Sequence, residues 1–133
     1  MKSVFADTFY FLALLNERDP AHAPAADASR GFKGRIVTTA WVLTEVADAM
    51  SERRNRAEFL GLLHDLRRNP RAVIVPPTED LFERGVALYA ERPDKDWSLT
   101  DCISFVVMRD TSITEALTGD RHFEQAGFTA LLE

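Results

Sequence analysis

The chain of 133 residues carries one cysteine, no excess of positive charge and no apolar run long enough to cross a membrane. A lone cysteine, Cys102, excludes an intrachain disulfide and a zinc site built from several cysteines, and it suits a reducing cytoplasm. The opening Met1-Lys2-Ser3-Val4-Phe5-Ala6-Asp7 meets an acid too early for a secretory leader. With 21 acidic residues against 16 basic ones the net charge is −5, which argues against a broadly basic nucleic-acid-binding surface. It does not exclude chemistry on nucleic acid, because bound divalent cations invert the local field. No linker, repeat or low-complexity segment interrupts the chain, so one domain over residues 1–133 is expected.

What is present is organised around Asp94 to Asp110. Ser98 followed three residues later by Asp101, just ahead of an apolar run, is the pattern of a helix start with a capping box. Leu99, Cys102, Ile103, Val106 and Val107 then recur at helical spacing, which places Asp101 at the rim of a buried helix. Taken alone, Asp101 only completes the cap and complements the helix dipole.

Around this helix, short apolar runs alternate with helical patterns. Strands are expected at Ser3–Ala6, Arg35–Thr38, Ala72–Val75, Thr114–Thr118 and Phe128–Leu132. Phe9 to Leu15 reads as a helix, and Ala21 to Ser29 as a second, weakened by Pro24 and ended at Gly31 or Gly34. Thr38 or Thr39 caps a helix from Ala40 to Met50, Phe59 to Leu66 mark another, and Thr78 caps one from Glu79 to Glu91. In this last helix Phe82, Val86 and Tyr89 are expected to face inward. His22 and His122 read as surface or packing residues, and Trp97 as packing beside a helix start. Arg53, Arg54 and Arg56 read as a solvated charge run.

The alternation points to an α/β fold with a largely parallel sheet and helices on both faces. Ligands of such sheets bind outside the carboxyl ends of the strands. Asp7 and Asp120 fall at or just past strand ends, and Glu45 and Asp101 in the early turns of helices, so four acids can meet at one rim. Four uncompensated carboxylates there would repel one another unless cations sit between them. Oxygen donors without a supporting histidine or cysteine cluster suit Mg²⁺ or Mn²⁺ rather than zinc.

Four stretches carry a resemblance. Val4-Phe5-Ala6-Asp7-Thr8, Thr39 to Glu45, Asp96-Trp97-Ser98-Leu99-Thr100-Asp101 and Leu117-Thr118-Gly119-Asp120-Arg121-His122-Phe123, closed by Gly127-Phe128, resemble in order and spacing the PIN domains, among them the VapC-type toxin ribonucleases. The resemblance implies a three-layer α/β/α sandwich and metal-dependent hydrolysis of RNA phosphodiester bonds, as the toxin of a type II toxin–antitoxin pair. It implies that Asp7, Glu45, Asp101 and Asp120 are the catalytic, metal-binding acids, with Mg²⁺ or Mn²⁺ as cofactor, RNA as substrate and a cognate antitoxin as partner. Asp96 receives no role. Gly119, at a position that looks variable in such proteins, is expected to leave Asp120 loosely placed.

No serine or cysteine nucleophile with a histidine partner is evident, so attack by a water held at the cation is the expected chemistry. Thr8 and Thr118 can orient ligands or simply end their strands. Apolar residues at Phe59, Leu62, Leu63 and Leu66, and from Phe9 to Leu15, exceed what one small sheet covers, which suggests a homodimer or a groove for an antitoxin helix. The alternative is a PIN-like module that binds RNA or a protein without cutting, for which intact acids serve no purpose. A receiver domain, which also gathers acids around Mg²⁺, is disfavoured: prolines follow Val75, and no lysine follows Asp101.

Overall fold

A computed structural model describes residues 1–133. Five strands, β1 (Ser3–Ala6), β2 (Arg35–Thr39), β3 (Ala72–Val75), β4 (Glu115–Leu117) and β5 (Thr129–Ala130), form one sheet in the order β3-β2-β1-β4-β5. Every pairing in it is parallel. Seven helices complete an α/β/α sandwich: α1 (Thr8–Leu15), α2 (His22–Gly31), α3 (Ala40–Ala49), α4 (Arg56–Arg68), α5 (Glu79–Glu91), α6 (Leu99–Asp110) and α7 (Arg121–Gln125). No helix is long and apolar enough to cross a membrane. The chain winds outward in both directions from β1, so the sheet has its switch point between β1 and β4, where a crevice opens at the carboxyl ends.

The core explains the arrangement. Val4, Phe5 and Ala6 on the central strand are fully buried, as parallel strands covered on both faces require. Phe5, Phe105 and Phe123 pack in series around Phe123, whose ring centroid lies 6.3 Å from that of Phe5 and 5.0 Å from that of Phe105. α6 is buried on every side from Asp101 to Met108, so it is a core element rather than a surface helix. Its capping box forms as the sequence indicates: Ser98 Oγ accepts from Asp101 N at 2.9 Å, and an Asp101 carboxylate oxygen accepts from Ser98 N at 3.1 Å.

Several local expectations are corrected. Phe82, Val86 and Tyr89 are exposed, at 41%, 36% and 55%, and the inward stripe of α5 is Leu81, Gly85 and Leu88. Both sets follow i, i+4, i+7 spacing one residue out of phase, and periodicity alone does not choose between them. Gly85 decides the choice, because α6 packs against it so closely that a Cβ there would lie 2.3 Å from Ile103 Cγ1. Pro24 does not break α2, since it sits in the first turn, where a missing N–H leaves no helical bond unmade. His22 is half-buried rather than solvated, and its Nδ1 lies 2.8 Å from the Ala13 carbonyl, tying α2 to α1. A short helix, α7, follows Asp120 where no helix was expected.

Gly85→Ala should destabilise the protein although alanine is the better helix former. The gain of about 1 kcal/mol in propensity is outweighed by overpacking, at about 1–3 kcal/mol. Thermal melting checks this: a variant melting at or above wild type would mean that α5 and α6 have room to separate.

Candidate active site

Asp7 is the first residue past β1 and the N-cap of α1, yet its side chain makes no capping hydrogen bond. Its carboxylate instead accepts from Thr118 Oγ1 at 3.0 Å. The same Thr118 oxygen accepts from Asp120 N, also at 3.0 Å, so one buried hydroxyl just past β4 holds the two acids across the switch point. Asp120 is the N-cap of α7 and accepts from His122 N at 2.9 Å. Asp101 enters from the first turn of α6, and His122 Nδ1 lies 3.0 Å from its Oδ2 and 3.4 Å from Asp120 Oδ1. Ligand atoms of Asp101, Asp120 and His122 all lie within 4.8 Å of one another.

Glu45 stands to one side of this group. It projects half-buried from α3, and its carboxylate accepts a hydrogen bond from Thr8 Oγ1, on the residue that follows Asp7. The structure thus brings Asp101 and Asp120 together and joins Asp7 to Asp120 through Thr118. Glu45 reaches the same rim through Thr8 but lies outside the tight cluster.

Gly119 has the opposite effect to the one expected of it. A Cβ there would lie 2.6 Å from the Phe9 ring, so the glycine lets β4 and α1 close on each other. With its own N–H and its carboxylate both hydrogen-bonded, Asp120 is firmly placed. His122 is the residue that sequence reasoning missed. The available signal was its place two residues after an N-cap acid, where the first turn of a helix returns a side chain to the rim its cap occupies. Trp97 is packing, as expected: it is 4% exposed, donates from Nε1 to Gln125 at 3.0 Å and meets Phe105 edge-on.

The electrostatics are unbalanced. No arginine or lysine pairs with Asp7, Glu45, Asp101 or Asp120; the eight ion pairs of the chain lie elsewhere except for the two made by His122. Burial pushes the Asp7 carboxyl up to about 7, and the charges of Asp101 and Asp120 add to the rise against the Thr118 hydrogen bond. Burial also raises Asp101, opposed by the bonds from Ser98 and His122. Burial moves the Cys102 thiol up to about 11, so it is no nucleophile near neutral pH. Buried carboxylates that lack an arginine or lysine suit a divalent cation, and His122 adds an imidazole to a donor set in which the sequence led us to expect oxygen alone.

The fold and site define a class of parallel α/β proteins that gather carboxylates, without arginine or lysine, in the crevice at the sheet's switch point. Within that class the chain belongs to the PIN-domain family, whose profile it matches over residues 4–129. It is 29% identical over 126 residues to the 23S rRNA-specific endonuclease VapC20 of Mycobacterium tuberculosis, in both the CDC 1551 and H37Rv strains. The match covers 94% of this chain and 95% of the relative. The crystal structure of Mycobacterium tuberculosis VapC20, described as a Sarcin-Ricin loop cleaving toxin, superposes with a TM-score of 0.87 at 25% identity. That superposition covers 95% of this chain and 96% of the other.

An acid held at about 7 in the fold, against about 3.8 when free, binds its proton more tightly in the folded state. Its stabilisation is complete below about pH 4 and is lost as pH rises through about 7. In EDTA the melting temperature should therefore fall between about pH 4 and pH 7, and Asp7→Asn should flatten that fall and melt higher at neutral pH. An Asp7→Asn protein that melts lower than wild type at neutral pH, with the same pH slope, contradicts this account of Asp7.

Proposed function

We propose that this protein is an Mg²⁺- or Mn²⁺-dependent endoribonuclease, the toxin of a type II toxin–antitoxin pair. The observation that carries the reading is the meeting of Asp7, Asp101 and Asp120 at the switch point with no arginine or lysine to neutralise them. Family membership and the similarity to VapC20 support it.

In this reading Asp7, Asp101, Asp120 and Glu45 hold the cation. When bound, the cation neutralises charge on the scissile phosphate and activates water. The protein's own part is to keep its carboxylates aimed and dry. Thr118 orients Asp7, the capping box and His122 orient Asp101, and Thr8 orients Glu45. These orienting bonds are made before substrate arrives, so little reorganisation is left for the reaction itself. Because VapC20 is named for 23S rRNA, ribosomal RNA is the substrate to try first.

Asp7→Asn keeps the shape of the side chain and removes its charge. Cleavage of RNA in Mg²⁺ or Mn²⁺ should drop by about 10²–10³, the scale of losing one electrostatic stabiliser from an active site. Metal-free RNA binding should hold. Cleavage that persists in EDTA, or in Asp7→Asn at the wild-type rate, refutes the metal-nuclease reading. Wild-type protein that binds RNA without ever cutting it would instead favour a silent binding module.

For the antitoxin, the fitting place is the open cleft of about 1290 Å³ between α1 and α4, lined by Leu12, Leu15, Met50 and Leu62. Its mixed lining, with Glu17, Arg18, Arg54 and Glu58 beside these apolar residues, suits an amphipathic helix. Phe59, Leu62, Leu63 and Leu66, and Tyr10 to Leu15 of α1, pack on the core, contrary to the surplus expected of them, so for the homodimer the exposed stripe Phe82, Val86 and Tyr89 on α5 supplies the apolar contact instead. Phe82→Ser with Tyr89→Ser should turn a dimer into a monomer in light scattering. A wild type that stays monomeric at high concentration removes the dimer from the proposal.

A further inference from the structure

The carboxyl edge of the sheet is acidic, and its amino edge is the reverse. Lys33 lies in the turn before β2, Arg35 is the first residue of β2, Arg71 precedes β3, and Arg67 and Arg68 close the last turn of α4. All five are exposed, and none takes part in an ion pair. Ile36 pairs with Ala72 in the parallel register, so Arg35 and Arg71 share the preceding row on adjacent strands, about 5 Å apart. Arg71 Nη1 donates to the Lys33 carbonyl at 2.6 Å, which fixes the turn beside the start of β3. Gly34 permits the arrangement on the other side: a Cβ there would lie 2.1 Å from the Lys2 carbonyl oxygen. Of the acids on the neighbouring elements, Glu115 is engaged by Lys2, which leaves Asp65, on α4 ahead of Arg67 and Arg68, as a single exposed carboxylate against five cations.

Complementing the α4 dipole accounts for Arg67 and Arg68 but not for three further cations on a turn and two strands. In a chain of net charge −5, five unpaired cations at one edge form a local field opposite to that of the whole. We propose that this amino edge, between β2 and β3, is a second phosphate-binding surface that holds the backbone of a folded RNA at a distance from its cut site. The inference rests on the ribonuclease reading for the identity of the ligand. Four of the five cations are arginines, whose planar fork matches phosphate oxygens. Apart from Met1, Val73 and Leu60 at its margins the surface exposes no large apolar side chain, so it lacks a cluster of desolvated anchors of the kind on which protein partners rely. Strands of four or five residues separate it from the acids by about 15 Å. One or two nucleotides seated at the acids do not span that distance, whereas a folded RNA passes both edges.

The test combines Arg35→Gln, Arg67→Gln and Arg68→Gln, leaving Arg71 on the Lys33 carbonyl, and checks folding by thermal melting. Binding to purified ribosomal RNA is measured in EDTA across a range of salt. Cleavage of that RNA, and of a short fragment spanning the mapped cut, is measured in Mn²⁺. The slope of log K against log salt should become shallower by about 2 to 3, at about 0.9 for each phosphate that the variant no longer neutralises. KM for the long RNA should rise, and the short fragment should be cut at the wild-type rate. If the triple variant does not fold, Arg67→Gln with Arg68→Gln replaces it, with a slope change of about 2. An unchanged slope overturns the proposal, and so does an equal loss on the short fragment, which would assign the cations to the cut site. Polyglutamate that displaces the RNA as effectively as an unrelated folded RNA overturns it in favour of an acidic protein partner. Binding is read without metal, so a wild type that never cuts defeats the ribonuclease reading alone and leaves the salt slope to decide this surface.

Discussion

Desolvation of Asp7 and Asp101, with the mutual repulsion of these acids and half-buried Asp120 added to it and no arginine or lysine to offset it, is the constraint on which the rest of the molecule turns. A fold does not gather carboxylates in a dry crevice without a cost in free energy. The protein meets that cost with hydrogen bonds rather than with arginine or lysine: the Thr118 hydroxyl bonds Asp7, the backbone of Ser98 and of His122 bonds Asp101 and Asp120, and the His122 ring lies between the last two. These orient the acids and leave their field in place, which is the condition a cation needs. A guanidinium in the same position would satisfy the acids and close the site.

The scaffold serves this arrangement at three points. β1 is central and fully covered, so Asp7 leaves it at the middle of the carboxyl edge with little freedom. α6 is buried from Asp101 to Met108, so Asp101 on its first turn is carried by the core rather than by a loop. Close approach at Gly119 brings β4 against α1 and fixes the distance that Thr118 spans. Displacements at Gly85 or Gly119, neither of which offers a side chain to a ligand, therefore propagate to the acids through packing. The sheet is also electrically polar, with acids beyond its carboxyl edge and unpaired cations along its amino edge, although the net charge of the chain indicates only the first.

The elements themselves were legible because their signals are local. Ser98 with Asp101, Thr39 and Thr78 mark helix starts by side chains that bond the next turn, and all three form those caps. Val73-Ile74-Val75 reads as strand by its branched side chains. By contrast, α7 spans only Arg121–Gln125, too short for a periodic pattern, and the phase of α5 rests on a glycine whose importance lies in another helix. Whether Pro24 breaks α2 depends on where in the helix it falls, which a boundary error of two residues reverses.

What the sequence determined by itself is the order of the strands and of every helix but α7, the parallel α/β class and the presence of four acids near strand ends and helix starts, because each follows from patterns a few residues long. Only the tertiary structure decided which of those acids meet. Asp101, Asp120 and His122 close into one cluster, Asp7 joins through Thr118, and Glu45 remains beside it on Thr8. The physical reason is range: a hydroxyl bridging residues 7 and 118, or a ring reaching from 122 to 101, depends on strand order and helix packing. No local spacing encodes either one.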